Sequence, residues 1–242
     1  MIFKPSKCFV MNISNKFQHN ISKFTYTIKD SPLSIVKTHT YLGVEIDNKL
    51  TWTPHCSKVK KKASQALGLI QRTLHAAPRS CKETAFKALV KPKLEYASTA
   101  WSPQTPGKKK LLESVQRKAA RFVTREYSRA VKSDDIVREL KWDTLETRRN
   151  TNDVVMFYKI HHQIVQLPFP PSVVPKPRLA QHDHELVYLH VRPRIDAYRH
   201  SFFVRSIIMW NSLPSAAVTA SSLQGFQPLA LAHFRARAGV AV

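Results

Sequence analysis

The sequence predicts an α+β fold, mainly α: a small N-terminal antiparallel β-sheet, then a helical bundle, then a mixed C-terminal tail region. Three observations predict it. Short runs in the first fifty residues alternate β-branched or aromatic with polar residues. From Pro54 onward the apolar period changes from two to 3.6. Finally, Pro168, Pro170, Pro171, Pro175 and Pro177 interrupt the helical pattern ahead of the tail. At 242 residues and 43% hydrophobic content, the chain can bury one sizeable core or two small ones.

The elements follow in order. Lys7 to Ile13 is a short strand candidate, and Phe24 to Lys29 is a second, closed by the turn residues Asp30-Ser31-Pro32. Leu33 to Val36 reads as the returning strand, and Tyr41 to Asp47 as a further strand that ends at Asn48-Lys49. Val59, Ala63, Ala66, Leu67, Ile70 and Leu74 then mark a helix with Thr53 as N-cap and Pro54 at its first position. Ser80-Cys81-Lys82-Glu83 has the capping-box pattern before Phe86, Leu89 and Val90, and Pro92 is expected to kink or end that helix. Leu111, Leu112, Val115, Ala119, Phe122 and Val123 define a third helix after the breakers Ser102-Pro103 and Pro106-Gly107. Asp135 to Leu140 suggests a short helix, and Leu145 to Val165 a long one with Val154, Val155, Tyr158 and Ile164 inward. In the tail, Leu186 to Val191 reads as a strand, Phe202 to Trp210 as an apolar helix or strand, and Ser221 to Phe234 as a last helix. The expected division is 1–53 for the β region, 54–166 for the bundle, 167–180 for a Pro-rich linker and 181–242 for the tail.

Charge narrows the function. There are 39 Lys and Arg against 16 Asp and Glu, a formal net charge of +23. Such a surplus calls for a polyanionic partner, nucleic acid first. No stretch approaches the roughly 18 apolar residues of a membrane span, since the most apolar run, Ser201 to Leu213, contains Arg205. The N-terminus has no secretory pattern, so an intracellular protein, nuclear or cytoplasmic, is expected. Cys8, Cys56 and Cys81 form no paired motif and read as reduced core thiols. His182, His184 and His190 cluster loosely without Cys or HExxH company, so no metal site and no cofactor in this chain are expected.

The surplus is concentrated. Residues 54–125 hold 17 Lys and Arg against 3 Asp and Glu. Lys58, Lys60, Lys61 and Lys62 fill the first turns of the first helix, where its dipole disfavours cations, and Arg72 lies further along it. Lys108, Lys109 and Lys110 precede Arg117, Lys118, Arg121 and Arg125, which fall largely away from the apolar stripe of the third helix. A solvated helix face is the bland reading, but such faces normally mix signs. Phosphate contact accounts for both clusters through counterion release.

One set of residues carries a family resemblance. Tyr41-Leu42-Gly43-Val44-Glu45-Ile46-Asp47, Leu50-Thr51-Trp52 and His55 resemble the segment after the palm in reverse transcriptases of LINE-type (non-LTR) retrotransposons. Leu94-Glu95-Tyr96-Ala97-Ser98 with Trp101-Ser102-Pro103, and then Leu112 through Phe122, look like the family's next two blocks. Leu140-Lys141-Trp142 with Leu145-Glu146-Thr147-Arg148-Arg149 look like the block after them. Ser201-Phe202-Phe203, Trp210-Asn211-Ser212-Leu213-Pro214, Ser222-Leu223 and Phe226 are similar to the family's tail. The pieces run in family order over nearly the whole chain, with the jockey-like branches nearest.

The resemblance implies a palm remnant, a primer grip at Tyr41, Leu42 and Gly43, and a thumb-like bundle along a primer–template duplex. Strand core for Tyr41 and Leu42, and a bulge or close backbone approach for Gly43, remain equally open. Lys7, in Pro5-Ser6-Lys7-Cys8, resembles the palm lysine near the incoming nucleotide's phosphates, or is simply a surface lysine. Nucleotidyl transfer needs carboxylates that hold two Mg²⁺ ions, and the family supplies them from motifs upstream of anything present here. The chain therefore reads as starting inside the palm, a truncated element that is no enzyme on its own. Its one Asp-Asp pair, Asp134-Asp135, heads a helix and is expected to cap it. Expected partners are primer–template nucleic acid and the palm and fingers domains, with no membrane and no small-molecule substrate.

Two alternatives belong to other classes. Trp101, Trp142, Phe202, Phe203 and Trp210 could form a protein-interaction surface, or a domesticated scaffold derived from the same element, against their reading as core. His161-His162 could serve a hydrolase, although nothing in the sequence pairs them with a nucleophile.

Overall fold

The computed structural model describes residues 4–13, 25–103, 105–177, 180 and 183–239. Phe24 and His182 therefore lie outside the described residues. The architecture is α+β, mainly α, with its β structure in the first fifty residues. After a 3₁₀ turn at Pro5–Lys7 come β1 (Phe9–Val10), β2 (Thr27–Ile28), β3 (Ser31–Pro32), β4 (Ser34–Ile35), β5 (Thr38–Tyr41) and β6 (Val44–Asp47).

The pairing corrects the expected sheet in two places. β2 pairs antiparallel with β3 around Lys29–Asp30, both at positive φ, so the turn comes before Ser31-Pro32. The expected returning strand instead lays β4 parallel to β1. The segment Tyr41 to Asp47 is not one strand. It breaks at Leu42–Gly43 (φ 46° and 81°), which turn β5 back on β6 with Tyr41 opposite Val44 and Thr38 opposite Asp47. Two successive positive φ values give the twist a two-residue hairpin needs, yet leucine is a poor residue for the first of them.

Helix α1 (Thr53–Thr73) begins without a side-chain cap, and Thr53 is its first residue rather than its N-cap. The entry is organised by Asp47, whose carboxylate accepts the backbone N–H groups of Lys49 (3.0 Å), Thr51 (3.0 Å) and Trp52 (3.0 Å). These bonds hold a loop in which Leu50 and Trp52 take positive φ. The expected capping box does not form. Ser80 lies inside α2 (Arg79–Ala85), and Glu83 accepts instead from Trp142 Nε1 at 3.0 Å and pairs with Lys87 at 2.6 Å. A π-helical turn, Phe86–Val90, separates α2 from α3 (Lys91–Glu95). It precedes Pro92, which has no N–H to continue an α-helical ladder. Phe86 and Val90 stay buried, whereas Leu89 is exposed, contrary to its expected inward position.

Helix α4 (Pro106–Thr124), capped by the Thr105 hydroxyl, packs Leu112, Val115 and Ala119 in one core with Val59, Ala63, Leu67 and Ile70 of α1. The two helices run in the same direction. At one end Lys108 Nζ donates to the Thr51 carbonyl (2.6 Å), and at the other Arg125 Nη2 donates to those of His75 (3.2 Å) and Ala76 (3.1 Å). Helix α5 is Ser133–Glu139 and α6 is Leu145–His161. Val154 and Tyr158 are buried and Val155 partly so, but Ile164 lies beyond the helix and is exposed.

Helix α6 reaches both cores, since Leu145 belongs to the first and Val154, Phe157 and Tyr158 to the second. Onto it fold α8 (Phe202–Trp210) and α10 (Leu223–Arg237), with α7 (Asp196–Arg199) beside α8, α9 (Ser215–Val218) beside α10, and Trp210 and Phe226 fully buried. The Pro-rich segment turns at Pro171–Ser172 and, over its described residues, is not a free linker. Phe169 packs on the second core, Val173 is buried within it, and Pro175 bridges to Tyr188. Among the described residues that single bridge is the only β pairing in the expected strand Leu186 to Val191. Ion pairs fix the tail in place: Arg205 with the buried Asp153 (2.8 Å), and Arg235 with Asp143 (2.6 Å).

Candidate nucleic-acid interface

Helical periodicity builds the site on α1. Cys56, Val59, Ala63, Leu67 and Ile70 turn inward, so Ser57, Lys61, Ser64, Gln65, Gly68 and Arg72 share the opposite side. With Lys60 they line a shallow open groove. Lys60, Lys61, Lys62 and Arg72 make no hydrogen bond or ion pair among the described residues, and Lys61, Lys62 and Arg72 are exposed. Ser57, Ser64 and Gly68 keep the groove floor low enough for a bulky backbone to approach. From Lys61 to Arg72 the helix rises about 16 Å, which matches about five nucleotide steps of one strand.

The other predicted cations fare differently. Lys58 bridges to β5 and β6, donating to Thr40 Oγ1 (2.9 Å) and pairing with Glu45 (3.2 Å). On α4, Lys109 pairs with Glu146 (2.5 Å) and Arg117 with Asp134 (2.6 Å). Arg121 donates to Ser133 Oγ and to the carbonyls of Glu126, Ser128 and Val131. With Lys108 and Arg125 closing the two ends against α1, only Lys110 and Lys118 of this set remain exposed and unpaired among the described residues. The structure thus brings Lys60, Lys61 and Arg72 together along one groove, leaves Lys62 exposed on another side of α1, and pairs most of the α4 set within the fold.

The hairpin tip stands beside the start of α1. Tyr41 and Leu42 are 63% and 74% exposed, which removes the strand-core reading. Gly43 is a close approach: a Cβ there would lie 3.3 Å from Tyr96 Cε1. The Tyr96 hydroxyl donates to the Leu42 carbonyl at 2.9 Å. His55 braces the same hairpin from α1, its Nδ1 accepting the Glu45 N–H at 3.1 Å. His55 is 2% exposed, and burial lowers its pKa to about 4, with Lys58 and Lys62 adding to the shift and Glu45 opposing it. It is a neutral acceptor at physiological pH.

No protein-family model, curated protein or solved structure matches the chain. Lys7 is exposed, at the end of the 3₁₀ turn. Asp134 and Asp135 make no cap bond to the start of α5. They pair separately with Arg117 and Arg138, an arrangement that does not fit a two-Mg²⁺ site. Among the described residues no group of three His, Cys, Asp or Glu is placed to hold a metal ion. His184 is buried between the Trp210 carbonyl and the Leu186 N–H, and His190 is exposed. Cys56 is buried, and burial pushes its thiol up to about 11; Cys81 is exposed rather than core.

His161 meets the Tyr188 hydroxyl at 2.7 Å, and burial lowers its pKa; neither group is a primed nucleophile. Ser212 lies 3.2 Å from His233 Nε2, a contact the sequence did not suggest. Its hydroxyl donates to the Met209 carbonyl, which leaves no proton for the imidazole to take. Trp101, Trp142 and Trp210 are buried, and Phe202 and Phe203 are partly buried against the second core, so these aromatics do not form a surface. No helix among the described residues is long and apolar enough to cross a membrane. Sequence reasoning missed Tyr96 as part of the tip, although the residue lay in one of the quoted blocks.

Proposed function

We propose that this chain is the C-terminal part of a retrotransposon RNA-directed DNA polymerase, binding primer–template nucleic acid through a basic thumb-like face. One observation carries the reading: Lys60, Lys61 and Arg72 line one open groove of α1 without hydrogen-bond or ion-pair partners among the described residues, with Lys62 exposed and likewise unpaired on the same helix. Cations kept unpaired on one face, in a chain of net charge +23, gain most from a regularly spaced polyanion. The resemblance of the segments around Tyr41 and Leu112 to the family's primer grip and thumb supports the same partner. Its setting is the nucleus or cytoplasm.

The test is fluorescence anisotropy of a labelled primer–template titrated from 50 to 300 mM salt. The expected log–log slope is about −4, from four or five phosphate contacts. Absence of binding at the lowest salt, or binding indifferent to salt, overturns the proposal.

A further inference from the structure

A hollow of about 280 Å³ opens where the π-helical turn and α3 meet the end of α5, lined by Lys87, Lys91 and Lys141 over Phe86 and Trp142. Three carboxylates stand near it, and each already has its own cation. Glu83 pairs with Lys87 at 2.6 Å, Glu95 Oε2 accepts from Arg148 Nη2 at 2.8 Å, and Asp143 accepts from Arg235 at 2.6 and 3.0 Å. Lys91 and Lys141 are left over: neither makes a hydrogen bond or ion pair among the described residues. Burial lowers the Lys91 pKa and Arg148 and Lys87 add to the shift, against Glu95 and Asp143, so this cation stands where its surroundings disfavour it. A bound anion would reverse that balance.

The walls are fixed from several elements. The rings of Phe86 and Trp142 are buried and stack with centroids 4.4 Å apart and planes 10° apart, and Trp142 Nε1 is held by Glu83 at 3.0 Å. Helix α5 ends with the Trp142 N–H donating to the Val137 carbonyl (3.1 Å) and the Lys141 N–H to that of Arg138 (2.9 Å), the bond pair that closes a helix over one left-handed residue. That residue is Lys141, at φ 52°, where Gly or Asn would sit at lower cost. Gln116 of α4 then holds the Asp143 carbonyl at 2.9 Å. Lysine ammoniums are point charges with three donors each, suited to a compact oxyanion. A drug-sized ligand needs roughly 300 Å³ or more, whereas an oxyanion with its waters needs less. We infer that Lys91 and Lys141, with Lys87 at the edge, hold a phosphate group, as the free ion or a terminal ester, over the Phe86–Trp142 stack. The hollow shares no residue with the α1 groove, so this site stands apart from the nucleic-acid reading.

The experiment is isothermal titration calorimetry of the full chain with sodium phosphate at pH 7.5, total ionic strength held constant with sodium chloride. One saturable sub-millimolar site is expected. Lys91→Met and Lys141→Met keep the apolar stems and remove the charges, so each should weaken binding about tenfold. Lys87→Met should weaken it about threefold, because Glu83 already shares that ammonium. Replacing Lys60, Lys61, Lys62 and Arg72 by Ala together should leave phosphate affinity unchanged. Methyl phosphate separates the two sources: binding within about threefold of inorganic phosphate identifies an ester as occupant, a larger loss identifies the free ion, and both support the site. Melting curves in phosphate-free buffer establish that the variants fold, and the exposed Lys141→Met carries the test if Lys91→Met does not. Absence of a saturable site on the wild type overturns the inference. So does an affinity that neither Lys91→Met nor Lys141→Met lowers, or one that the α1 replacement abolishes. None of these results bears on primer–template binding, which is read by anisotropy.

Discussion

Helices α1 and α4 run side by side in the same direction, and each is densely basic, yet their cations do different work. Among the described residues, Lys58 is the one Lys or Arg of α1 that bonds to the rest of the chain, and Lys60, Lys61, Lys62 and Arg72 make no hydrogen bond or ion pair. On α4, Lys108, Lys109, Arg117 and Arg121 all bond to neighbouring segments. Both helices are packed by several elements, and what differs is what those neighbours offer: around α4 they present Glu146, Asp134 and loop carbonyls to its cations. Helix α1 keeps one long side turned to solvent. A local surplus of cations therefore divides into a part that holds the fold and a part that is available to a ligand.

The sharpest way to break that division is to remove the α1 set. Replacing Lys60, Lys61, Lys62 and Arg72 by Ala together should weaken primer–template binding on the order of 1,000-fold at 0.1 M salt and reduce the salt slope by about 3.6. The melting temperature should hold or rise, because four unpaired like charges are removed. Anisotropy and thermal melting on one preparation measure both. A slope that stays near its wild-type value transfers the phosphate contacts elsewhere and ends the distinction between the helices.

Much of the scaffold was legible because the helical period is local. The inward residues Val59, Ala63, Leu67 and Ile70 of α1, and Leu112, Val115 and Ala119 of α4, can be read from spacing alone, and a last helix expected over Ser221 to Phe234 is found as α10, Leu223–Arg237. Strand pairing was not legible, since nothing in Leu33 to Val36 says that it will lie parallel to β1. The hairpin tip was hidden by leucine at a positive-φ position that Asn, Asp or Gly usually fills. The capping box at Ser80 failed because Glu83 is claimed by Trp142, 59 residues away. The pairing of the α4 cations was not legible for the same reason: their partners, Thr51 and Glu146 among them, are distant in sequence, and charge patterning sees only neighbours.

The inward side of α1 gives a second test, with a pH dependence. Neutral His55 accepts the Glu45 N–H, its Nε2 has no partner among the described residues, and its ring meets Trp101 edge-on at 4.4 Å. Burial holds its folded pKa at about 4, below the unfolded value near 6.5. A depressed folded value means that this contribution is fully present above about pH 6.5 and is lost as the pH falls toward 4. Full loss corresponds to about 3 kcal/mol. Urea unfolding at pH 7.5, 5.5 and 4 should show it, and His55→Asn, which keeps an acceptor but does not titrate, should flatten the dependence by that amount. Parallel pH profiles for the two proteins would remove His55 as the group responsible.

The smallest expected effect bears most directly on what α4 is for. Arg121 spreads its guanidinium over Ser133 Oγ (2.9 Å) and the carbonyls of Glu126 (3.1 Å), Ser128 (3.0 Å) and Val131 (2.7 Å), tying together the loop between α4 and α5. The group is partly exposed, so water replaces some of these bonds when it is removed, and Arg121→Ala should cost about 2 kcal/mol in urea unfolding. Arg121→Lys should recover less than half of this, because a point charge cannot reproduce the planar fork. Neither variant should change the salt slope of binding once the unfolded fraction is accounted for. If Arg121→Ala instead lowers the slope by about one and leaves stability intact, Arg121 contacts phosphate, and α4 joins α1 as a binding face.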